Sequence, residues 1–316
     1  MNSSTAQRKC KRKASEMSVN HDNITEHRVT KMIKAEASFR TMQTIRMTSS
    51  WKNQVWREQV AQWCYDVVDH LDASREAVYV AMNVLDRYIA ETSSSAAMDK
   101  VEYEKIAITA FFLALRITNS VEIRIPEILS LSRSSIQPQD IISTGSRILE
   151  CLTWSNRILT PHSFLKAFMG LRSQSLNPST VTSWLDLAVY LVEISVCDGE
   201  FSQTAASQLA MAAIIVAMKK SGDYDENKKQ CDSLVRDIFE HASIDPCSTS
   251  LRSLCVRLQN IYNQSQESPQ ANSPHVIEAE DDEQTDSCQT GLDNRSELDR
   301  VTSVSRPISP LQNKDW

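Results

Sequence analysis

The sequence predicts an all-α protein, in which two tandem five-helix domains lie between two disordered tails. The 316 residues include only five glycines, and long stretches lack both glycine and proline, which favours helices over turn-rich β structure. Apolar residues recur at the three- and four-residue spacing of a helix face. Two strongly apolar segments, about 100 residues apart, also share one pattern, which indicates an internal repeat.

The apolar periodicity and the helix-breaking residues predict ten helices in two groups of five. Thr160 is suited to cap a helix and Pro161 to begin it, so the second group starts there. Asn177 and Pro178 open another helix in the same way. The predicted domains are 51–155, with helices at 51–70, 74–93, 101–119, 125–133 and 137–153, and 156–264, with helices at 161–172, 179–197, 203–220, 228–241 and 246–263.

The third helix of each group is apolar nearly all round, so other helices must surround it. The segments AFFLALR (110–116) and AIIVAMK (213–219) both contain an alanine, three large apolar residues, an alanine, one large apolar residue and a basic residue. We therefore expect each domain to be wrapped around its own third helix.

Several classes of function find no support in the sequence. It contains no glycine-rich phosphate loop, no HExxH and no GxSxG motif, so no catalytic residue is predicted. The six histidines have no ligand spacing and the eight cysteines form no CxxC pair, so no metal or other cofactor is predicted and the thiols are interpreted as reduced. Four helical carboxylates are expected to cap helices or form ion pairs, namely Asp66, Asp86, Glu193 and Asp198.

Charge and hydropathy narrow the possible partners. Residues 51–264 carry a net charge of −5, which argues against a fold that grips nucleic acid. No apolar run reaches the roughly 18–20 residues that cross a bilayer, so no membrane contact is predicted.

The basic region at residues 1–50 is predicted to be mostly disordered, with a short helix within 28–47. It holds ten Lys or Arg residues against four Asp or Glu residues. The cluster RKCKRK suits an acidic importin groove and predicts a nuclear protein that also occurs in the cytoplasm, the alternative being a merely soluble tail. The import residues would be Arg8, Lys9, Lys11, Arg12 and Lys13.

The acidic tail at residues 265–316 cannot bury enough apolar surface to fold alone. It holds four basic residues against eleven acidic ones. Three Ser-Pro steps bracket the run EAEDDEQTD, which predicts phosphorylation by a proline-directed kinase and turnover through a ubiquitin ligase. The candidate phosphorylation sites are Ser268, Ser273 and Ser309.

Five segments taken together resemble the cyclin family, over about residues 51–262. Three of them resemble the first cyclin box, namely WREQVAQWCYDVV (56–68), LDRYI (85–89) and FFLALRI (111–117). Two resemble the second box, namely LAVYLVEISVCDGEF (187–201) and SQLAMAAIIVA (207–217). The resemblance implies two cyclin-fold domains and a non-enzymatic subunit that binds and activates a cyclin-dependent Ser/Thr kinase in cell-cycle control.

The resemblance also implies a kinase-binding set. The family's kinase-facing lysine corresponds to Arg116, which keeps the charge with a planar geometry. The family's partner glutamate corresponds to Gly145, so that charge is absent, and Asp140 is expected instead to face the N-terminus of its own helix. The apolar kinase contacts correspond to Ile117, Leu149 and Trp154.

A tryptophan-rich stripe on the first box helix has two interpretations. In many cyclins this helix carries a shallow apolar patch that docks Arg-x-Leu peptides of substrates and inhibitors, and Gln59 replaces one of its apolar residues here. The alternative is that the stripe is plain core. The patch would consist of Trp56, Val60, Trp63, Asp66, Tyr103 and Glu104, with Asp66 as the carboxylate for the peptide's cation.

Other kinds of protein stay open at this stage. A transcription-associated protein with a cyclin fold, of the transcription factor IIB kind or a transcriptional cyclin, is the main alternative. The transcription factor IIB kind would need a basic middle region and usually a zinc ribbon. A helical scaffold or a helical enzyme is the other alternative, and a scaffold should lack an apolar groove beside Arg116.

Overall fold

The computed structural model describes residues 25–38, 51–92, 98–152, 158–172, 176–222 and 224–267. Within these residues the regular structure is helical and contains no strand, so the all-α prediction is confirmed. A short 3₁₀ helix lies at Gly199–Gln203. The α-helices are α1 (25–38), α2 (Trp51–His70), α3 (Glu76–Thr92), α4 (Lys100–Ile117), α5 (Ile125–Ser132), α6 (Pro138–Cys151), α7 (Pro161–Met169), α8 (Pro178–Cys197), α9 (Ala206–Lys220), α10 (Lys228–Ala242) and α11 (Thr249–Glu267).

The first group of helices, α2 to α6, surrounds α4. This helix packs against all four of its companions. Its buried side chains include Ile106, Phe111 and Leu115. Trp63 of α2 meets the ring of Phe111 edge to face, with the two centroids 5.3 Å apart. The predicted apolar third helix is therefore the centre of this group.

The second group, α7 to α11, surrounds α9 in the same way. Helix α9 packs against α7, α8 and α10, and Cys255 of α11 lies with its Sγ 3.9 Å from the carbonyl oxygen of Ala212. Helix α1 joins this group through Val29, which is fully buried. The second group therefore contains one helix from the N-terminal region as well as its own five.

Buried hydrogen bonds join the two groups at α2 and α8. The guanidinium of Arg57 donates to both carboxylate oxygens of Asp86, at 2.9–3.1 Å, and its Nη1 donates to the carbonyl oxygen of Val196 at 2.6 Å. The hydroxyl of Tyr65 donates to the carbonyl oxygen of Glu193 at 2.8 Å. Both contacts lie on one side of α2, so this helix is fixed against the end of α8.

The expected roles of the helical carboxylates are confirmed for three of the four. Asp86 pairs with Arg57, and the Oε2 of Glu193 accepts from the Nε of Arg75 at 2.9 Å. Asp198 caps the 3₁₀ helix and accepts from Arg257 of α11 at 2.7 Å. Asp66 is exposed and accepts a hydrogen bond of 3.4 Å from Gln62.

Several helices begin or end a few residues away from their predicted positions; α7 ends early, at Met169, and α11 continues to Glu267, past the predicted end at 263. The Oδ1 of Asp198 accepts from the backbone N–H of Glu200 at 3.0 Å and starts the 3₁₀ helix, which delays α9 to Ala206. Asp245 accepts from the N–H of Cys247 at 2.8 Å, so a turn precedes α11. In the N-terminal region the helix occupies 25–38, earlier than the predicted interval 28–47.

By length and composition alone, α8 is long and apolar enough to cross a membrane. The expectation that no segment is apolar over such a length is therefore wrong for this helix. Its Trp184, Leu191 and Val192 are buried in the core of the second group, and its Glu193 is paired with Arg75. These contacts are those of a core helix.

Candidate functional site

Three of the four predicted kinase-binding residues are described by the structure, and they lie on α4 and α6, which pack together. Arg116, in the last turn of α4, is exposed, and its Cζ lies 5.6 Å from the ring centroid of Phe112. Ile117 follows it and is half-buried. Leu149 of α6 is 40% exposed, and Trp154 lies outside the described residues. The structure therefore places Arg116, Ile117 and Leu149 on two helices that pack against each other.

Gly145 marks the contact between these two helices. A Cβ added to it would meet the Cγ2 of Thr109 at 3.6 Å, which is an ordinary van der Waals distance. One turn earlier on α6, Ile141 is buried but Ile142 is 50% exposed. Ile142 and Leu149, seven residues apart, therefore present two large apolar side chains to solvent on one side of α6.

The second group of helices contains the matching positions. Cys255 of α11 contacts Ala212 of α9. In the first group, Gly145 of α6 faces Thr109 of α4. Ala212 and Thr109 each come directly before the repeated segments AIIVAMK and AFFLALR. Gly145 and Cys255 therefore occupy the same place in the two groups, and Arg116 corresponds to Lys219.

The surfaces around these matching positions differ in polarity. Counting from Gly145 and Cys255, Ile142 corresponds to Arg252 and Leu149 corresponds to Gln259. Arg252 and Gln259 are exposed, as their counterparts are. Exposed apolar side chains are common one at a time but more informative in clusters. At these two matching positions, the first group therefore has exposed apolar side chains and the second group has exposed polar ones.

The acidic side chains in the first turns of α4 and α6 are already engaged. Glu102 pairs with Lys105, and its Oε1 lies 3.8 Å from the Nη2 of Arg147. The Oδ2 of Asp140 accepts from the backbone N–H of Gln137 at 3.1 Å. The expectation that Asp140 faces the N-terminus of its own helix is therefore confirmed.

Much of the tryptophan-rich patch belongs to the core. Val60, Trp63 and Tyr103 are buried in the core of the first group. Trp56 is half-buried, and its ring centroid lies 5.5 Å from that of Tyr103. Partial burial raises the pKa of Asp66 above its ordinary value, although the side chain remains exposed. Peptide docking stays a prediction here, with Trp56, Asp66 and the half-buried Glu104 as its accessible members.

Several predicted sites lie outside the described residues. These are the basic cluster at Arg8, Lys9, Lys11, Arg12 and Lys13, the kinase contact Trp154, and the candidate phosphorylation sites Ser268, Ser273 and Ser309. Among the residues that the structure does describe, no cluster of three or more His, Cys, Asp or Glu side chains is arranged to hold a metal ion.

Comparison with known proteins identifies the family. The model of the cyclin N-terminal domain matches residues 27–157, and the model of the cyclin C-terminal domain matches residues 159–277. The chain therefore belongs to the cyclin family and contains two cyclin-box domains. Cyclins are regulatory subunits rather than enzymes, so the chain is a regulatory protein.

Individual relatives are distant. Mouse G1/S-specific cyclin-D1 is 23% identical over 164 residues, which cover 52% of this chain and 53% of that protein. Mouse G1/S-specific cyclin-D2 is 22% identical over 216 residues, which cover 66% of this chain and 73% of that protein. The chain thus spans about half the length of several relatives that it matches.

The fold is also found among solved structures. The X-ray structure of a viral cyclin from herpesvirus saimiri aligns with a TM-score of 0.51 and 12% identity, over 67% of this chain and 87% of that one. At this identity the likeness concerns the fold alone.

Proposed function

We propose that the chain binds and activates a cyclin-dependent Ser/Thr kinase. The observation that carries the proposal is the α4–α6 surface. It combines the exposed cation Arg116 with the exposed apolar pair Ile142 and Leu149, whereas the second group has Arg252 and Gln259 at the places of that pair. Such a surface suits a partner helix that has an apolar stripe and a hydrogen-bond acceptor at one end.

The mechanism follows from differential binding. The chain needs no catalytic group of its own, because the ATP chemistry belongs to the kinase. It would activate the kinase by binding the active conformation of a kinase helix better than the inactive one. Arg116, Ile117, Leu149 and Trp154 would hold that helix together with the exposed Ile142.

We further propose a role in cell-cycle control within the nucleus and cytoplasm. Support comes from relatives whose names describe them as G1/S-specific cyclins, and from the basic cluster in the N-terminal region. Two further partners are proposed. Substrates or inhibitors with Arg-x-Leu motifs would dock on the chain, and a ubiquitin ligase would act on the tail.

Co-purification and activation test this function together. The full-length chain, expressed with a tag in cells, is expected to co-purify with a cyclin-dependent kinase, which mass spectrometry identifies. The purified kinase is then assayed on a generic Ser/Thr peptide with and without the full-length chain. We expect activity only from the pair. A chain that co-purifies with no kinase, or that leaves the kinase inactive, contradicts the proposal. Recovery of a kinase that phosphorylates the transcription machinery would place the chain among the transcriptional cyclins instead.

A further inference from the structure

The charged side chains of α1 are separated onto two sides of the helix. Val29 marks the buried side, since it lies in the core of the second group. At 3.6 residues per turn, Glu26 and Glu36 lie within about 60° of Val29 round the helix axis. Lys31 and Lys34 lie about 160° and about 140° from it. The acidic side chains of this helix therefore face the protein, and its lysines face solvent.

Both acidic side chains of α1 are engaged with the second group. The Oε1 of Glu26 lies 3.8 Å from the Nε2 of His241 on α10, and Asp237 of α10 also lies near that histidine. The Oε1 of Glu36 accepts from the backbone N–H of Ser207 at 3.0 Å. Within residues 25–38, no carboxylate is therefore left on the outer side of the helix.

The outer side of α1 carries a stripe of cations, formed by Arg28, Lys31 and Lys34, with His27 beside them. All four side chains are exposed, and none of them has an ion pair among the described residues. The positions 28, 31 and 34 rise by about 4.5 Å per step, so the three charges extend over about 9 Å. Unpaired cations on one face attract an anionic partner. We call Arg28, Lys31 and Lys34 the α1 stripe.

The dimensions and surroundings of the α1 stripe suit a short, extended segment of protein. An extended chain advances about 3.3 Å per residue, so the stripe would contact about three residues of it. A bilayer is a poor partner, because Val29, Met32 and Ile33 pack against the second core and are not free to insert. A nucleic-acid duplex would extend beyond the stripe over a body whose residues 51–264 carry a net charge of −5.

Phosphate is the anion that best suits these side chains. Arg28 can bind a phosphate through two parallel hydrogen bonds, and the two lysines can bind it as point charges. Each phosphate carries roughly −1.5 to −2 charges at neutral pH, so two phosphates would more than balance the three cations. A kinase bound to the chain would produce such groups on its protein substrates.

We propose that the α1 stripe docks a phosphoserine-containing segment of a protein substrate that the bound kinase has already phosphorylated. This inference rests on the proposed function and adds a second binding surface, on the second group of helices and not on the α4–α6 surface. Docking at α1 would raise the local concentration of a partly phosphorylated substrate at the kinase, which favours phosphorylation of its remaining sites.

Peptide binding in the absence of a kinase tests the α1 stripe. The probe is a fluorescein-labelled peptide with two phosphoserines, each followed by proline. Its Kd for the full-length chain, purified from bacteria, is measured by fluorescence anisotropy. We expect the same peptide without phosphates to bind at least about tenfold more weakly. Lys31→Glu combined with Lys34→Glu should also weaken binding of the phosphopeptide at least about tenfold, since it replaces two attractions by two repulsions.

A matched variant controls for the change in net charge. Lys228→Glu combined with Lys229→Glu reverses the same number of charges at two exposed lysines of α10, and should change the Kd by less than about twofold. Thermal unfolding of both double variants establishes that the fold is retained. A duplex DNA of about 20 base pairs is the probe for a nucleic-acid site, and we expect it to bind more weakly than the phosphopeptide.

Several outcomes would overturn the inference. The α1 stripe is not the site if the α1 double variant binds the phosphopeptide as the wild type does, or if the α10 variant loses as much affinity. Equal or tighter binding of the duplex would show a general polyanion surface. Loss of kinase binding by the α1 double variant would make α1 part of the kinase contact. A wild-type chain that binds the phosphopeptide through α1 but binds no kinase would overturn the proposed function and leave the phosphoserine-docking surface standing.

Discussion

Arg116 is the residue on which kinase binding should depend most. Its guanidinium is exposed at the end of α4, where it can donate to carbonyl or carboxylate groups of a partner. We expect Arg116→Ala to weaken kinase binding by about 1.5–3 kcal/mol, the usual contribution of a hydrogen bond to a charged group. Titration calorimetry with the purified kinase measures this change.

The internal repeat supplies a matched control for that substitution. Lys219 occupies the same position in α9 and is also exposed, but its group lacks the exposed apolar pair. Lys219→Ala should therefore leave kinase binding unchanged. If Arg116→Ala and Lys219→Ala lose the same affinity for the kinase, the effect is one of nonspecific charge. If Arg116→Ala binds the kinase as the wild type does, Arg116 is not part of the site.

His162 should make the stability of the protein depend on pH. The imidazole is buried at the start of α7, and neither of its nitrogens has a hydrogen-bond partner among the described residues. Burial lowers the pKa of His162 below its ordinary value of 6.5, and Lys166 and Arg75 lower it further, although Glu76 raises it. Below pH 6.5 the unfolded state therefore binds more protons than the folded state, so stability falls as the pH falls.

Replacing this histidine should remove that part of the pH dependence. We expect His162→Gln to lose less free energy of unfolding than the wild type between about pH 7.5 and about pH 5. Urea denaturation at several pH values measures both curves. Parallel curves for the two proteins would show that the histidine does not titrate differently in the folded and unfolded states.

At the scale of single residues, part of the candidate α4–α6 surface could be predicted from the sequence, but one of its exposed residues could not. Arg116 and Leu149 followed from the resemblance to cyclins. Ile142 did not, because periodicity places Ile141 and Ile142 together and only the packing of α6 on α4 decides which of them is exposed. The same limit applies to α2, where the spacing of Trp63 and Val60 fits both a core and a docking patch.

Among the structural elements, α1 is joined to the second group by a helix cap that comes from a distant part of the chain. Ala205 precedes α9 and has no side-chain acceptor for the free N–H groups at the start of that helix. The Oε1 of Glu36 accepts from the backbone N–H of Ser207 at 3.0 Å, and its Oε2 accepts from the Ser207 hydroxyl. Glu36 thus supplies the hydrogen-bond acceptor that a capping residue at position 205 would supply, and this contact joins α1 to α9.

Loss of this cap should destabilise the protein. We expect Glu36→Ala to lower the free energy of unfolding by about 0.5–2 kcal/mol, the range measured for capping residues. Lys34→Ala, an exposed position on the same helix, should have little effect. Adding a local acceptor with Ala205→Asp should restore much of the loss in the Glu36→Ala protein. If Glu36→Ala and Lys34→Ala unfold at the same urea concentration, the contact does not stabilise α9.

The order and length of the helices were largely predictable, since they depend on local signals. Thr160 and Pro161 begin α7 as expected, with Thr160 accepting from the N–H of Ser163 at 3.1 Å. The start of α9 was predicted too early because Asp198 begins a 3₁₀ helix. The cap from Glu36 could not be predicted, as it joins residues 171 positions apart.

At the scale of the whole molecule, the two cyclin boxes are joined through buried polar contacts as well as apolar ones. Arg57 of the first box binds Asp86 beside it and the carbonyl oxygen of Val196 in the second. Removing one partner of such a buried pair usually costs about 3–5 kcal/mol, since a charge is left unpaired. The α4–α6 surface is therefore presented by helices that are fixed in a larger body, which favours a preformed binding site.

The acidic tail should set the lifetime of the protein and not its activity. Helix α11 ends at Glu267, so a truncation that keeps this helix intact removes residues 268–316. The predicted kinase contacts all precede the tail in the sequence, and we expect the truncated chain to bind the kinase as the full chain does. We also expect its half-life in cells to be longer, because the Ser-Pro steps and the acidic run are removed with the tail.

Phosphorylation is the proposed cause of this turnover. Each phosphate adds roughly −1.5 to −2 charges at neutral pH, to a region in which acidic residues already outnumber basic ones by eleven to four. Phosphate groups are strong hydrogen-bond acceptors, which suits them to an arginine-lined pocket of a ubiquitin ligase. Replacing Ser268, Ser273 and Ser309 together by alanine should therefore lengthen the half-life, but by less than the truncation does. A cycloheximide chase measures all three proteins, and equal half-lives for the full-length and truncated chains would show that the tail does not control turnover.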